Sequence, residues 1–360
     1  MIKIIFGGSF DPIHNGHINM ALNAQKSLKG DVLFVPAPIS VWKDNSVSAE
    51  HKIKMLEIAI KDIPGFYIDT YEIDSGNKTN YSIDTVRHFK NKFPNDELYF
   101  LIGTDQVNKF HLWKDADELA KLAKIAYFVR PDVKIENDNH QKFDMIKIEG
   151  PGIVAASSDI RQLINTEINP EVLLYIIEHK LYVISGLTKY IDEKRLNHSI
   201  EVAKLSYQIA KKNGVEKPIR ALIAGLLHDI GKAKDKLLLE KTIEEEFTEY
   251  KELPLPVLHQ FYGYKIAKKV FGIVDETILN AIKYHATGNT NMDELAMIVY
   301  AADKIEPTRN FDSTDLIEAM MVGVESGFKT VLKANKEYLE QSNKDFNNAL
   351  TSNCFEQYLK

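Results

Sequence analysis

A change of pattern near residue 185 constrains the fold of this chain more than any other feature. Before it, short apolar runs typical of buried strands alternate with segments of helical periodicity. Such alternation predicts βαβ units around a mostly parallel sheet. The apolar runs are Ile2–Phe6, Val32–Val35, Phe66–Ile68, Leu98–Ile102 and Ile125–Val129.

The strand pattern disappears after the polar segment Ile184–Tyr190, and helical periodicity then recurs to about residue 350. Arg195–Lys212 is typical of an amphipathic helix, whereas Ala221–Ile230 and Ala296–Ala302 are apolar nearly all round and therefore predict buried helices. We predict an α/β domain over residues 1–186, followed by an all-α domain over residues 191–360.

The composition narrows the classes of partner. The formal net charge of −6 argues against a duplex nucleic-acid binder, which would need a basic face. The single cysteine, Cys354, cannot form an internal disulfide. We see neither a signal-peptide pattern nor an apolar run long enough to span a membrane. We therefore expect a cytoplasmic protein that binds small molecules, with no nucleic-acid or membrane partner. Whether it forms a homo-oligomer stays open.

The turn after the first apolar run, G-G-S-F-D-P-I-H-N-G-H over residues 7–17, has the chemistry of an anion site. Gly7 and Gly8 allow backbone N–H groups to approach a ligand closely, and the helix that follows presents a positive N-terminus. His14 and His17 add two imidazoles at the same place. The turn therefore suits the phosphates of a nucleotide.

The segment His14–His17 resembles the H-x-G-H signature of the nucleotidylyltransferase superfamily. Further segments resemble, in the same order, motifs of the nicotinate mononucleotide adenylyltransferases, the NadD family. They are Pro36–Lys43, Tyr81–Thr85, Gly103–Gln106 with the downstream Trp113, and Ser157–Arg161. The resemblance covers residues 1 to about 185 and implies a Rossmann-like nucleotidylyltransferase domain. The last motif departs from the family, because Ala155 and Ala156 replace Ile-Ser and Ser158 replaces threonine.

This resemblance implies transfer of AMP from ATP to nicotinate mononucleotide, giving deamido-NAD and pyrophosphate with Mg²⁺. It assigns catalytic roles to His14, His17, Lys43, Ser158 and Arg161. The implied ATP-binding residues are Gly7, Gly8, Ser9, Phe10, His14, His17, Lys43, Ser157, Ser158 and Arg161. The implied nicotinate-nucleotide residues are Ser82, Thr85, Asp105 and Trp113. The choice between the acid and the amide nucleotide stays open. The alternatives are a pantetheine-phosphate adenylyltransferase or a cytidylyltransferase.

Histidines and aspartates recur on the predicted helices of the second half. Carboxylates on apolar helices are costly unless they are paired or bind metal. Several such groups that converge from separate helices suit a site for one or two metal ions. The residues are His198, His228, Asp229, His259, His285 and Asp303.

The ordered set resembles the HD-domain phosphohydrolases. Within them, H-D-I-G-K at 228–232, H-A-T-G at 285–288 and the segment 300–309 resemble the YqeK family. The resemblance covers residues 190–350 and implies two metal ions, iron, manganese or another divalent metal, held by those six residues. Asp229 and Lys232 would be catalytic, and Lys232 and Arg309 would contact phosphate.

The implied reaction of the second domain is hydrolysis of a nucleotide phosphoanhydride, diadenosine tetraphosphate to ADP. The alternatives are a (p)ppGpp hydrolase, a nucleotidase, a cyclic dinucleotide phosphodiesterase or a regulatory nucleotide sensor. We therefore predict a bifunctional enzyme that combines a step of NAD biosynthesis with metal-dependent hydrolysis.

Overall fold

A computed structural model describes residues 1–38, 46–77, 80–131, 133–232, 246–341 and 348–360. The chain divides into two compact units, Met1–Tyr175 and Ile176–Lys360. The division lies within one helix, Pro170–Glu178. The domain boundary that we place at residues 186–191 stays a prediction.

The first unit is built on a sheet of six parallel strands in the order β3-β2-β1-β4-β5-β6. The strands are β1 (Ile2–Gly8), β2 (Asp31–Pro36), β3 (Phe66–Ile68), β4 (Glu97–Gly103), β5 (Lys124–Phe128) and β6 (Ile146–Ile148). This architecture confirms the predicted α/β class. The short strand β6 was not predicted, because Lys147 interrupts its apolar pattern.

Helices flank the sheet, as the alternating pattern predicts. They are α1 (Asn15–Leu28), α2 (Ala49–Ile60), α3 (Tyr71–Asp74), α4 (Ser82–Lys92), α5 (Thr104–Val107), α6 (Ala116–Leu122), α7 (Asn139–Lys142), α8 (Ser157–Arg161) and α9 (Pro170–Glu178). The sheet core is apolar on both faces, because helices on both sides remove the strands from water. Ile4, Ile5 and Phe100 are almost completely buried there.

The strand order reverses between β1 and β4, because β2 and β3 follow on one side of β1 and β4, β5 and β6 on the other. Gly7 and Gly8 lie at the carboxyl end of β1, opposite Val35 and Pro36 of β2. Ligands of open parallel sheets bind at the carboxyl ends of the strands where the order reverses. The fold therefore places the glycine-histidine turn where a nucleotide is expected.

The described part of the second unit is helical, which confirms the predicted all-α class. Its helices are α10 (Val183–Gly186), α11 (Glu193–Lys212), α12 (Ile219–Leu227), α13 (Leu255–Lys269), α14 (Glu276–Tyr284), α15 (Glu294–Ile305), α16 (Thr314–Val322), α17 (Val324–Gln341) and α18 (Ala349–Tyr358). Among the described helices of the whole chain, none combines the length and apolar character that crossing a membrane requires.

Close helix packing at Gly225 brings two of the predicted ligand-bearing helices together. A Cβ at this position of α12 would lie 2.7 Å from Ala203 Cα of α11, which no real side chain tolerates. Glycine therefore lets the two backbones touch. The contact holds the end of α12, with His228 and Asp229, against the helix that carries His198.

Candidate functional sites

A cavity of about 380 Å³ opens at the carboxyl ends of β1 and β4. Nine of the residues predicted for the two nucleotide sites line it. They are Gly7, Gly8, Ser9, Phe10, His14, His17, Ser82, Asp105 and Trp113. The structure therefore brings together residues from motifs that lie a hundred positions apart in the sequence.

The two histidines of this cavity cap helix α1 reciprocally. His14 Nδ1 accepts a hydrogen bond from His17 N, and His17 Nδ1 accepts one from His14 N, both at 3.3 Å. Their rings stack with centroids 3.7 Å apart. Because each Nδ1 accepts a hydrogen bond, a neutral imidazole carries its proton on Nε2. Each ring therefore has an N–H donor besides the atom used for capping.

The surroundings keep both imidazoles neutral near pH 7. Burial and the nearby charge of Arg130 lower the pKa of His14 to about 4. Burial, His14 and Arg130 hold the pKa of His17 well below its usual range. The histidines thus act as neutral donors, and Arg130 supplies the positive charge.

Arg130 lines the cavity but was missed by the sequence reasoning. It follows β5 at the carboxyl edge of the sheet, and this position is the signal that could have found it. Its backbone N–H donates to Thr104 Oγ1 at 2.9 Å, and that hydroxyl donates to Phe128 O at 3.2 Å. These bonds fix the loop that carries the arginine.

The predicted phosphate residues of α8 brace the turn instead of lining the cavity. Ser157 Oγ donates to Pro12 O at 3.0 Å, and Arg161 Nη1 donates to Asp11 O at 2.6 Å. Ser158 is exposed, and its hydroxyl donates to Asp159. Lys43, the remaining predicted phosphate residue, lies outside the described residues.

The predicted nicotinate-nucleotide residues divide into two groups. Ser82, Asp105 and Trp113 line the cavity, and the Trp113 ring also packs edge-on against Phe100 at 5.9 Å. Thr85 is fully buried and does not line it.

Thr85 instead positions a carboxylate that the sequence reasoning missed. Its Oγ1 donates to Glu72 Oε1 at 2.7 Å, and Glu72 lines the cavity. Burial raises the pKa of Glu72, although this hydrogen bond opposes the shift. Asn80 and Gln106 also line the cavity without having been predicted.

The six predicted metal ligands of the second unit come together from five places in the fold. His198 lies on α11, His228 and Asp229 follow α12, His259 lies on α13, His285 follows α14, and Asp303 lies on α15. Donor atoms within 4.8 Å of one another define three triads. The triads are His198, His228 and Asp229; His228, His285 and Asp303; and Asp229, His259 and His285.

Backbone carbonyls determine which nitrogen each buried histidine presents. Nδ1 of His228, His259 and His285 lies 2.7, 2.8 and 2.8 Å from a carbonyl oxygen three residues earlier. A carbonyl only accepts, so each Nδ1 carries the proton and each Nε2 presents a lone pair. Metal-ligating histidines are commonly oriented in this way.

The histidine nitrogens and the Asp229 carboxylate that face one another would be stabilised by a bound cation. His259 Nε2 and His285 Nε2 lie 3.0 Å apart, and Asp229 Oδ1 lies 3.2 and 3.3 Å from them. Among the described residues, Asp229 Oδ1 and His228 Nε2 are buried without a hydrogen-bond partner, and the one cation near this oxygen is Lys232, whose Nζ lies 3.0 Å away. Buried acceptors that face one another are unfavourable without a positive charge between them. Imidazole and carboxylate donors of this kind fit a divalent metal ion.

The electrostatics agree with this donor set. Burial lowers the pKa of His285 to about 3, so this ring stays neutral and able to bind metal. Burial opposes ionisation of Asp229, but His228, His259, His285 and Lys232 hold its pKa well below the usual range. The carboxylate is therefore ionised at neutral pH.

Glu306 is a further acidic group of the cluster that the sequence reasoning missed. His198 Nε2 lies 3.1 Å from Asp303 Oδ1, and His198 Nδ1 lies 3.1 Å from Glu306 Oε1. Glu306 thus orients the ring of a predicted ligand. Its place one helical turn after Asp303 was the available signal.

A close backbone contact at Gly231 holds the H-D-I-G segment against α13. A Cβ on Gly231 would lie 2.1 Å from His259 O and 2.3 Å from Gly263 N. Glycine is therefore required for His228 and Asp229 to approach His259.

An open cleft of about 1290 Å³ adjoins the cluster and carries several cations. Arg195 Nη1 lies 2.5 Å and Lys232 Nζ 3.0 Å from Asp229 Oδ2, and Arg309 Nη2 lies 2.8 Å from Asp303 Oδ1. Arg195 was not predicted, although it lies one helical turn before His198. The cleft suits a polyphosphate beside a metal site.

Comparisons with known proteins divide the chain in the same way. A cytidylyltransferase-like family profile matches residues 5–163, and an HD domain profile matches residues 195–308. A Mycoplasma genitalium protein described as "Probable nicotinate-nucleotide adenylyltransferase/Ap4A hydrolase" is 37% identical over 311 residues, covering 85% of this chain and 87% of the relative. A Mycoplasma pneumoniae protein of the same description is 31% identical and covers 92% of this chain and 98% of the relative.

The chain belongs to the family of these two-domain proteins. It is an enzyme with a nucleotidyltransferase domain followed by an HD hydrolase domain, which confirms the family assignment made from the motifs. The HD domain implies binding of divalent metal.

A solved HD superfamily hydrolase from Clostridium acetobutylicum, described as involved in NAD metabolism, is 31% identical to this chain, with a TM-score of 0.42. It covers 49% of this chain and 94% of that structure.

Proposed function

We propose that this enzyme transfers AMP from ATP to nicotinate mononucleotide and, at its second site, hydrolyses diadenosine tetraphosphate to two molecules of ADP. Both reactions are named in the descriptions of the two Mycoplasma relatives. The observation that carries the first is the pair of neutral histidines at the mouth of a parallel sheet. The observation that carries the second is the set of facing Nε2 lone pairs around Asp229.

In the first reaction, a phosphate oxygen of nicotinate mononucleotide attacks the α-phosphorus of ATP. The new P–O bond forms as the bond to the β-phosphate oxygen breaks, and pyrophosphate leaves. Such transfer depends on positioning and charge neutralisation more than on covalent help from the protein. The Nε2–H groups of His14 and His17 would donate to the α-phosphate oxygens, and Arg130 would offset the charge that develops there.

The remaining residues would hold the two substrates in place. Gly7, Gly8, Ser9 and Phe10 would line the ATP side, with Lys43, Ser157, Ser158 and Arg161 for the outgoing phosphates. Ser157 and Arg161 donate hydrogen bonds to the turn at residues 11–12, and Ser158 donates to Asp159. To contact phosphate, these three side chains would have to rearrange when ATP binds. Trp113 would stack on the pyridine ring, and Ser82, Asp105 and Glu72 would contact the nucleotide. Thr85 would act through its hydrogen bond to Glu72. Mg²⁺ would enter with ATP.

A substrate panel tests the first proposal. We expect release of pyrophosphate from ATP with nicotinate mononucleotide and at least about tenfold lower kcat/KM with phosphopantetheine, whose thiol-bearing arm lacks a ring to stack on Trp113. The panel should include the amide nucleotide, because the cavity geometry does not discriminate between acid and amide. Turnover with phosphopantetheine alone, or CMP transfer from CTP in place of AMP transfer, would contradict the proposal.

In the second reaction, water adds to a phosphorus atom next to the central anhydride oxygen of diadenosine tetraphosphate. The central P–O bond breaks, and two ADP molecules form. The six predicted ligands would hold two divalent ions, iron or manganese being the metals we favour. A bound divalent ion would lower the pKa of a coordinated water and polarise a phosphoryl oxygen. Arg195, Lys232 and Arg309 would release the carboxylates they now contact and bind the phosphate chain.

Metal removal tests the second proposal. We expect that a chelator abolishes hydrolysis of diadenosine tetraphosphate and lowers the thermal midpoint of the helical unit, because the lone pairs then face one another without a cation. Fe²⁺ or Mn²⁺ should restore both, while adenylyl transfer recovers with Mg²⁺ alone. Full hydrolysis by metal-depleted protein would contradict a metal site. AMP and ATP as products, in place of ADP alone, would contradict the symmetrical cleavage.

A further inference from the structure

A second cavity beside the HD cleft carries aromatic side chains that neither proposed reaction uses. It has a volume of about 720 Å³ and lies between the segment that follows α15 and the helix α17. Lys304, Arg309, Phe311 and Tyr338 are among its lining residues. Ligand pockets for small molecules typically measure about 300–1,000 Å³, so a nucleoside fits within this volume.

Two aromatic side chains of this cavity are unusually exposed. Phe311 and Tyr338 keep 51% and 55% of their surface accessible. An exposed ring is a suitable platform for a nucleobase, because base-aromatic stacking buries apolar surface on both partners. Asn335 lines the same cavity, and its Nδ2 donates to Tyr300 Oη at 3.0 Å. That bond holds an amide group where a base edge or a ribose would need a polar partner.

Arg309 contacts both the aromatic cavity and the predicted metal ligands. This residue lines both the cavity and the cationic cleft, and its Nη2 lies 2.8 Å from Asp303 Oδ1. Asn310 also lines both. Among its described lining residues the cleft has no Phe, Tyr or Trp, and its one ring, that of His198, is held between Asp303 and Glu306. The cleft can therefore bind phosphates by charge, whereas stacking of a base requires the neighbouring cavity.

We propose that the Phe311–Tyr338 cavity binds one purine nucleoside of a dinucleoside polyphosphate, with the phosphate chain passing Arg309 to reach the metal ligands. This inference rests on the proposed hydrolase function and deepens it, because it identifies the part of the site that distinguishes a nucleotide from inorganic polyphosphate. The shared arginine then acts as the junction between nucleoside and phosphate recognition.

Kinetics of the full-length enzyme with diadenosine tetraphosphate test the inference. Phe311→Ala and Tyr338→Ala should each raise KM about tenfold, the effect of losing one stacked base, with kcat within about twofold of the wild type. The inhibition constant of inorganic tripolyphosphate should not change, because this competitor has no base. Phe311→Trp should keep the low KM. Tyr67→Ala removes an equally exposed ring from the other unit and should have no effect. An unchanged KM in both alanine variants would overturn the inference while leaving the hydrolase function intact.

A binding measurement tests the nucleoside site independently of hydrolysis. Failure of the wild type to hydrolyse dinucleoside polyphosphates would refute the proposed hydrolase function, whereas the nucleoside site is tested by the binding of ADP. Phe311→Trp places an indole in the cavity, and a stacked adenine quenches indole fluorescence. We expect ADP to cause saturable quenching beyond that seen with the wild type, whose own tryptophans provide the baseline, and pyrophosphate to cause none. Equal quenching of wild type and variant by ADP would overturn the base-binding role.

Discussion

Asp229→Ala is expected to abolish hydrolysis of diadenosine tetraphosphate and to leave adenylyl transfer unchanged. Asp229 is fully buried, and its two oxygens contact Nε2 of two histidines on one side and two cations on the other. Removing the carboxylate therefore removes a shared ligand of the proposed metal site and leaves like charges together. We expect a loss of about a thousandfold or more in kcat, since the metal supplies several kcal/mol of transition-state stabilisation.

The control variants separate loss of metal from loss of folding. Asp229→Asn keeps the shape of the side chain and should also lose metal, because a neutral amide is a weaker ligand than a carboxylate. Asp315→Ala changes an exposed aspartate of the same unit and should keep metal and activity. Metal content, thermal midpoint and both reaction rates should be measured on each protein. A folded Asp229→Asn enzyme that retains stoichiometric metal and full hydrolysis would refute the proposed site.

Much of the fold could be predicted because its elements are long and strongly patterned. Parallel strands that are buried on both faces have continuous apolar runs, so β1, β2, β4 and β5 were recognisable, and the short run Phe66–Ile68 indicated β3. The second half was equally recognisable as helical, because its apolar residues recur at a spacing of about 3.6 residues. The strand β6 was not recognisable, because Lys147 breaks the apolar run between Ile146 and Ile148.

The candidate sites were predictable only where side chains lie within compact motifs. His14 and His17 belong to one turn, and Asp229 follows His228 directly. Arg130 was missed because it is far from His14 and His17 in the sequence. It approaches them only in the folded sheet, where β1 and β5 end at the same edge. Glu306 was missed for a similar reason, since its contact with His198 depends on the packing of α15 against α11.

Some motif residues do not make the contacts that we predict for them. A motif specifies which residue types occur and does not specify what each side chain contacts. Thr85 was expected at the nucleotide but hydrogen-bonds to Glu72, and Arg161 was expected at a phosphate but holds the Asp11 carbonyl. The first contact orients a carboxylate of the cavity wall, and the second fixes the turn next to that wall. Whether these side chains also touch substrate stays a prediction.

His14→Asn and His17→Gln are expected to abolish adenylyl transfer without unfolding the first unit. Both side chains cap α1 as well as line the cavity, so alanine would combine two effects. Asparagine is a favourable N-cap residue and glutamine is favourable at the third helical position, so these two changes keep the cap. Loss of one donor to the α-phosphate should lower kcat by about a hundredfold to a thousandfold, with hydrolysis at the HD site unchanged. His88→Asn, at a half-buried histidine outside the cavity, is the matched control.

The pH dependence of the folded protein's stability shows whether the buried His14 ring is neutral or charged. The pKa of His14 in the folded protein is lowered from 6.5 to about 4, first by burial and then by Arg130, so the unfolded chain binds the proton more readily. The stabilisation is therefore complete above about pH 6.5 and is lost as the pH falls towards 4. Wild-type thermal midpoints should decline over this range, and the decline should be shallower in His14→Asn, which lacks the titrating group. Equal slopes in the two proteins would show that His14 is not buried as a neutral ring. His14 would then not act as a neutral donor at the α-phosphate.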